Sequence, residues 1–267
     1  MWTLKVSFYI AKFDGINGKM KEQTLCKNCG ESTNGNYCSN CGQKTGTSRL
    51  NADYLLDELT NSLFQLQHGF FYTLKELFLT PAKSITEFLN GKRKKYFKPL
   101  SYLLILSTFY YLVTLTLDAN TWIDDFLTGF NEGIKENNDT SPVILTWFSK
   151  HYAYTVLLLL PIFSLASYLS FYKFKKNYVE HIFINSYVTA QQSIIYSFFA
   201  LLGLVVKHES VEIAPFLVSV SYNFYVYYKL FVHKIKIINL LRSLLTYLIY
   251  LLLSAVLFIV VLLISKI

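Results

Sequence analysis

The chain has 267 residues, of which 53% are hydrophobic and only 16% are charged, and its formal net charge is +8. Soluble globular domains carry about 25% charged residues, so this composition argues against a soluble protein. The basic residues cluster at the ends of long apolar blocks, a pattern typical of membrane proteins. No base-reading motif accompanies them, which makes nucleic acid an unlikely partner.

Residues 1–24 are predicted to be a poorly ordered or mis-annotated N-terminal extension. The segment lacks the long apolar core and the small-residue cleavage site of a signal peptide. Met20 is the only methionine besides Met1. One interpretation is that translation starts at Met20 and that residues 1–19 are an annotation artefact.

Residues 25–45 contain all four cysteines, in two CxxC pairs separated by eight residues. A glycine follows each pair, which allows a tight turn that brings backbone amides close to the sulfurs. Four thiolates suit the tetrahedral coordination of Zn²⁺ and leave no open position for chemistry. The spacing therefore predicts a structural zinc ribbon, with disulfides and redox or iron chemistry as the alternatives. The expected ligands are Cys26, Cys29, Cys38 and Cys41.

Residues 50–98 are predicted to form amphipathic juxtamembrane helices. In the first of them, Leu55 and Leu59 begin an apolar face that continues through Leu63, Leu66 and Phe70. Asp53, Asp57 and Glu58 are expected to lie off that face. Thr80 and Pro81 are expected to cap and open a further short helix that ends at Gly91. The helices either lie on the inner leaflet or pack against each other and the ends of the spans.

A basic cluster precedes the first long apolar block. Each basic residue near an anionic leaflet gains about 1 kcal/mol, so the cluster is predicted to contact lipid headgroups. Its members are Lys92, Arg93, Lys94, Lys95 and Lys98.

Five apolar blocks are long enough to cross a bilayer as helices, which requires about 20 residues each. The predicted fold is therefore an all-α membrane protein: a five-helix transmembrane bundle over residues 99–267, preceded by a small zinc ribbon and interfacial amphipathic helices. Period-two alternation, which a barrel needs, is absent. The predicted spans are 99–117, 152–171, 181–206, 213–231 and 243–264.

The loop charges predict a cytoplasmic N-terminus and an external C-terminus. With this orientation eleven basic residues lie in inside segments and four outside, in accord with the positive-inside rule. A cytoplasmic ribbon also agrees with metal-bound, reduced thiols. The inside set is Lys92, Arg93, Lys94, Lys95, Lys98, Lys173, Lys175, Lys176, Lys234, Lys236 and Arg242; the outside set is Lys135, Lys150, Lys207 and Lys266.

The third predicted span carries polar residues at helical spacing, so they share one face of the helix. Such groups are costly in lipid unless they are satisfied, and they are expected to face the bundle interior. They either line a ligand or ion path, or form hydrogen bonds that join helices, with Asn223 as a candidate partner. The members are Glu180, His181, Asn185, Thr189, Gln192 and Tyr196.

Three segments together resemble a known family: CKNCG…YCSNCGQ, then GFFYTLKELFLTPAKSITEFLNGKRKKYFKPLSYL, then KNYVEHIFINSY. The family comprises bacterial membrane proteins catalogued as a domain of unknown function with a zinc-ribbon head. The sharpest motif is Thr80–Pro99. The resemblance implies the same architecture, in the inner membrane of a bacterium, and no particular activity. The matching positions are Pro81, Gly91, Lys92, Arg93, Pro99, Glu180 and His181.

No catalytic signature, such as a nucleophile elbow, a phosphate loop or HExxH, is present in the sequence. The sequence therefore favours a non-enzymatic membrane protein whose ribbon binds a protein partner or stabilises the assembly. Anionic lipids are the other expected partner. The alternative is a small-molecule or ion transporter or channel that uses the polar face of the third span, and a lipid-modifying enzyme is least favoured.

Overall fold

The computed structural model describes residues 24–61, 69–133, 147–148, 150–206, 208–232 and 236–265. Several sequence predictions fall outside the described residues. They concern Met20 and the rest of the N-terminal extension up to residue 23, the apolar positions Leu63 and Leu66, and the loop charges at Lys135, Lys207, Lys234 and Lys266.

A two-stranded antiparallel sheet opens the described chain, with Thr24 paired to Thr33 and Leu25 to Ser32. Helices follow, and a 3-10 turn at Tyr172–Phe174 joins the sixth to the seventh. The elements are β1 (Thr24–Leu25), β2 (Ser32–Thr33), α1 (Ala52–Asn61), α2 (Phe70–Leu79), α3 (Pro81–Leu89), α4 (Pro99–Thr116), α5 (Trp122–Gly133), α6 (Tyr152–Ser170), α7 (Tyr178–Leu202), α8 (Glu209–Leu230) and α9 (Lys236–Ser265).

Helix α7 is the centre of the molecule. It packs against α4, α6 and α8 along its length and against α2 and α3. Its residues Phe183, Ile184 and Tyr187 are fully buried. Helix α9 completes the bundle by packing on α6 and α8.

Three helices of the described chain are long and apolar enough to cross a membrane: Pro99–Thr116, Tyr152–Ser170 and Ile237–Leu257. This supports a membrane protein with a mostly helical fold. The first two coincide with predicted spans, and the third overlaps the predicted span 243–264 but begins six residues earlier.

The remaining predicted spans, 181–206 and 213–231, coincide with α7 and α8, which are long but less apolar than the other three. The burial of α7 explains its composition. Neighbouring helices cover most of its surface, so its side chains are selected for packing and hydrogen bonding rather than for contact with lipid.

Helices α2 and α3 form a hairpin that packs on the bundle. The side chain of Gln191 on α7 donates to the carbonyl oxygen of Leu74 at 3.0 Å, and the hydroxyl of Tyr222 on α8 donates to that of Leu77 at 2.8 Å. Leu77 lies in the last turn of α2, where carbonyls have no partner within the helix. Of the two arrangements that the sequence left open, this geometry corresponds to packing against other helices of the protein.

Thr80 is the N-cap residue of α3 and Pro81 opens that helix, as predicted, but the side chain of Thr80 makes no capping hydrogen bond. Its hydroxyl donates to the carboxylate of Glu76 at 2.9 Å. The prediction for Glu58 was wrong. Glu58 is only 1% exposed, although its charge suggested the outer face of α1. Its Oε1 accepts a hydrogen bond from the backbone N–H of Leu100 at 2.8 Å, so it serves the N-terminal turn of α4, where backbone donors lack partners.

Candidate metal centre

Each CxxC pair lies in a tight turn of the same kind, and each such turn is called a hook here. In the first, the N–H of Cys26 donates to the carbonyl of Glu31, and the N–H of Gly30 donates to that of Cys26, both at 2.8 Å. The second hook repeats this pattern from Cys38 to Gly42. The two glycines, Gly30 and Gly42, have backbone φ values of 81° and 69°. Residues other than glycine adopt such positive φ values only at a cost in free energy.

The turns bring the four sulfurs together, as the spacing predicts. The Sγ atoms of Cys26 and Cys41 lie 3.5 Å apart, as do those of Cys29 and Cys38. All four ligand atoms lie within 4.8 Å of one another. A tetrahedral ion with metal–sulfur bonds of about 2.3 Å requires sulfur separations of about 3.8 Å. The cluster therefore fits a four-coordinate metal ion.

The electrostatics of the cluster also favour a cation. The backbone N–H of Cys41, followed by that of Asn40, lowers the pKa of Cys38 to about 7. The backbone N–H of Glu31 lowers the pKa of Cys29, but loss of hydration and the three neighbouring thiols together raise it to about 12. Four adjacent thiols cannot all ionise unless a positive charge lies among them.

Gln43, directly after the second hook, fastens the ribbon to the segment between α3 and α4. Its side-chain Nε2 donates to the carbonyl of Gly91 at 2.8 Å, and its Oε1 accepts from the N–H groups of Arg93 and Lys94 at 2.9 and 3.0 Å. Gln43 is only 5% exposed. The cysteine cluster is thus held directly against the start of the helical bundle.

The linker between the ribbon and α1, residues 46–51, is attached to the N-terminus of α7. Arg49 forms an ion pair with Glu180, and the side-chain amide of Asn177 donates to the carbonyl of Leu50 at 2.9 Å. Asn177 and Glu180 also form a capping box at the first turn of α7. Glu180 therefore caps the N-terminus of α7 and binds the linker at the same time.

The structure places most of the predicted lipid-contacting cluster against protein groups. Lys92 and Lys95 pair with Glu87 at 3.1 and 3.4 Å, and the guanidinium of Arg93 lies over the ring of Tyr54. The hydroxyl of Tyr96, and then Lys92 and Lys95, lower the pKa of Glu87 to about 2. Within this cluster Lys94 and Lys95 are exposed, and Lys98 is half-buried.

The polar face of α7 forms hydrogen bonds to the neighbouring helices. His181 Nδ1 lies 2.9 Å from Ser167 Oγ on α6. Asn185 Nδ2 donates to Ser167 Oγ at 2.9 Å and its Oδ1 accepts from the hydroxyl of Tyr227 on α8. These groups therefore join α6, α7 and α8.

The rest of this face continues toward the other end of α7. Gln192 donates to the carbonyl of Ser219 on α8 at 3.0 Å, and the ring of Tyr196 packs on Tyr110 of α4. Thr189 is half-buried. The candidate partner Asn223 is buried on α8.

Sequence reasoning missed the residues that connect the ribbon to the bundle. Gln43 was read only as the end of the CGQ segment, and Arg49 was not singled out. A polar side chain two residues after the last cysteine is the one available signal, because the position of such a residue is fixed by the cysteine turn.

A family model described as "Protein of unknown function (DUF3667)" matches residues 68–111. The match covers α2, α3 and the first part of α4, including the segment to which Gln43 binds, and it does not include the cysteines. Comparison with curated proteins and with solved structures finds no match.

Proposed function

We propose that this is a multi-pass protein of a bacterial inner membrane, and that its four cysteines bind a structural Zn²⁺ in a cytoplasmic ribbon. The ribbon would act as an assembly and interaction module and not as an enzyme. The observation that carries the proposal is the attachment of the ribbon at two points, through Gln43 to the segment before α4 and through Arg49 to α7.

Zinc is favoured because the ligand set is four thiolates with no open position. Binding energies of about 10–16 kcal/mol for such sites would stabilise a ribbon whose strands β1 and β2 have two residues each. The basic inside loops favour the cytoplasm, and the reducing conditions there keep thiols available for metal.

An interaction role is supported by two large apolar side chains on the ribbon. Leu25 is 74% exposed and Tyr37 is 64% exposed. A protein partner that docks on the ribbon would bury these apolar side chains, and a tyrosine is among the residues that most often carry binding energy in interfaces. The hydrogen bonds of the α7 polar face support a structural role for that face, so a transport function has less support.

Metal analysis combined with co-purification in mild detergent tests this function. We expect one zinc per chain in the wild type and in the Ser39→Ala control, and loss of zinc in Cys38→Ser. A stoichiometric partner should be lost in Cys38→Ser, and also in a Leu25→Ser/Tyr37→Ser variant that keeps its zinc. Unchanged zinc in Cys38→Ser would refute the metal site, and a partner retained by both variants would refute the interaction role.

Topology is tested separately by reporter fusions at the C-terminus. With five spans and a cytoplasmic N-terminus, a periplasmic reporter should be active after Ile267 and a cytoplasmic one inactive. The reverse result would contradict this topology, since it requires an even number of spans or an external N-terminus.

A further inference from the structure

A cleft of about 380 Å³ lies where the ribbon, the linker, the end of α3 and the corner between α6 and α7 meet. Its charged lining comes from three separate parts of the chain, and no sequence motif brings them together. The charged residues are Lys27, Arg49, Lys175, Lys176 and Glu180.

The charges of this lining do not balance. Arg49 and Glu180 neutralise each other in their ion pair, which leaves three lysines. Lys27 donates its Nζ to the carbonyl oxygen of Thr47 at 2.5 Å, a contact that positions the ammonium without neutralising it. Among the described residues no carboxylate lies within ion-pair distance of any of the three lysines. The cleft therefore keeps about three uncompensated positive charges.

Lys176 is the most informative of these lysines. Burial lowers the pKa of its ammonium, and Glu180 only partly offsets that effect because Arg49 opposes it. Withdrawing a cation from water costs free energy unless an anion compensates it. Among the described residues that line the cleft, Glu180 is the only carboxylate, and it is already occupied by Arg49 and by the backbone N–H of Asn177. An external anion would supply the missing partner.

The cleft lies at the end of a candidate membrane span. Lys175 has a left-handed backbone, with φ of 56°, and turns the chain five residues after the end of α6 at Ser170. Just before it, Tyr172 is 62% exposed and Leu169 is 46% exposed. Apolar side chains beside a basic cleft suit the border between acyl chains and phosphate groups.

We propose that this cleft binds a phosphate group, with the ammonium groups of Lys27, Lys175 and Lys176 as its donors. Lysine binds phosphate as a point charge through up to three N–H donors. An anionic phospholipid and a soluble phosphate compound share this chemistry, and the experiment distinguishes them. This site is separate from the predicted cluster at residues 92–98, and it does not depend on the function of the ribbon.

Isothermal titration of the purified, zinc-loaded full chain in neutral detergent at physiological salt tests the proposal. The probes are short-chain phosphatidic acid, short-chain phosphatidylcholine as a lipid without net charge, and pyrophosphate. The test variant is Lys175→Asn/Lys176→Gln, since asparagine tolerates a left-handed backbone. The matched control is Lys75→Gln/Lys83→Gln, which removes two lysines exposed on α2 and α3.

We expect phosphatidic acid to bind the wild type and the control equally, and the test variant at least about tenfold more weakly, which corresponds to 1.4 kcal/mol or more. Competition by pyrophosphate would assign the site to soluble phosphates, and binding of the lipid alone would assign it to the leaflet. The proposal is overturned if neither anion binds the wild type, or if the test variant keeps its zinc and binds as tightly as the control. It is also overturned if phosphatidylcholine binds as tightly as phosphatidic acid.

Discussion

Arg49 and Glu180 lie 131 residues apart in the chain and form a bidentate ion pair, with Nε–Oε1 and Nη2–Oε2 distances of 2.8 and 2.6 Å. The same carboxylate accepts a hydrogen bond from the backbone N–H of Asn177. A guanidinium and a carboxylate joined by two parallel hydrogen bonds have a fixed mutual orientation. The pair therefore sets the angle of the linker against the first turn of α7.

Replacing Glu180 by glutamine should weaken this attachment. Because the side chain of Arg49 is 58% exposed, solvent screens the pair, and we expect a loss of only about 1 kcal/mol. Thermal unfolding in detergent at low and at high salt measures it. Wild-type stability should fall with salt more than that of Glu180→Gln, whereas the control Lys83→Gln should follow the wild type. Equal salt dependence in all three proteins would contradict the prediction.

Gln43→Ala should release the ribbon while leaving the metal bound. The substitution leaves the carbonyl of Gly91 and the N–H groups of Arg93 and Lys94 without their partner, at an expected cost of about 3 kcal/mol. Hydrogen exchange should accelerate at the amides of Arg93 and Lys94, with the metal content unchanged. Asn34→Ala, at an exposed ribbon position, is the control. Continued slow exchange in Gln43→Ala would show that Gln43 does not hold the ribbon in place.

Gly91→Ala should be destabilising for two reasons. Gly91 has φ of +106°, and a Cβ there would lie 2.8 Å from Cδ of Lys27 and 2.9 Å from Oγ1 of Thr47. The backbone strain alone costs about 1–2 kcal/mol. Gly129→Ala is the matched control, because its Cβ would meet nothing within 4 Å and alanine favours its helix by about 0.5–1 kcal/mol. Denaturant unfolding should shift in opposite directions for the two variants.

Glu58 should make stability depend on pH. Burial raises its pKa from 4.5 to about 7, although the N–H of Leu100 and the charge of Lys98 oppose the shift. The folded protein therefore keeps this proton to higher pH than the unfolded chain. The resulting stabilisation, about 3 kcal/mol, is complete below the unfolded-state pKa and is lost as pH rises through about 7.

The Glu58→Gln variant checks this prediction, because glutamine keeps an oxygen for Leu100 and carries no charge. Its unfolding temperature should change little between about pH 5 and pH 8 and should exceed that of the wild type at the upper end. Asp57→Asn, at the exposed neighbouring position, should retain the pH dependence. A wild type that is more stable at high pH would show the opposite sign and refute the prediction.

Asn185→Leu should loosen the contact among α6, α7 and α8. The change removes hydrogen bonds to Ser164, Ser167 and Tyr227, and interhelical hydrogen bonds in membrane proteins contribute about 0.6 kcal/mol each. We expect a loss of about 1–2 kcal/mol in detergent unfolding. Thr116→Ala, whose hydroxyl bonds only within α4, should have no comparable effect.

Features that depend on local sequence could be predicted. The CxxC spacing and the glycine after each pair indicated the cluster of Cys26, Cys29, Cys38 and Cys41. The apolar face that begins at Leu55 and Leu59 indicated α1. The apolar blocks indicated three of the helices that can cross a membrane. In each case the signal lies within a window of about one helix or one turn.

Features that depend on distant partners could not be predicted. Glu58 was placed on the outer face of α1 because charge usually marks exposure, but the free N–H groups of α4 require an acceptor there. Gln43 binds Gly91, 48 residues away, and the cleft lysines come together only in the folded chain. Helix α5 in the loop after α4 was also missed, although Thr121 and Asp124 exchange hydrogen bonds at its start.

The attachment of the ribbon implies an order of events during synthesis. Chains fold from the N-terminus as they leave the ribosome, so the cysteine hooks are complete before Gly91 emerges, and Glu180 emerges much later still. The hooks can therefore take up metal first, close on the segment before α4 second, and engage α7 only once that helix has been synthesised. Metal shortage during translation would then act at the earliest step, before any span is in place.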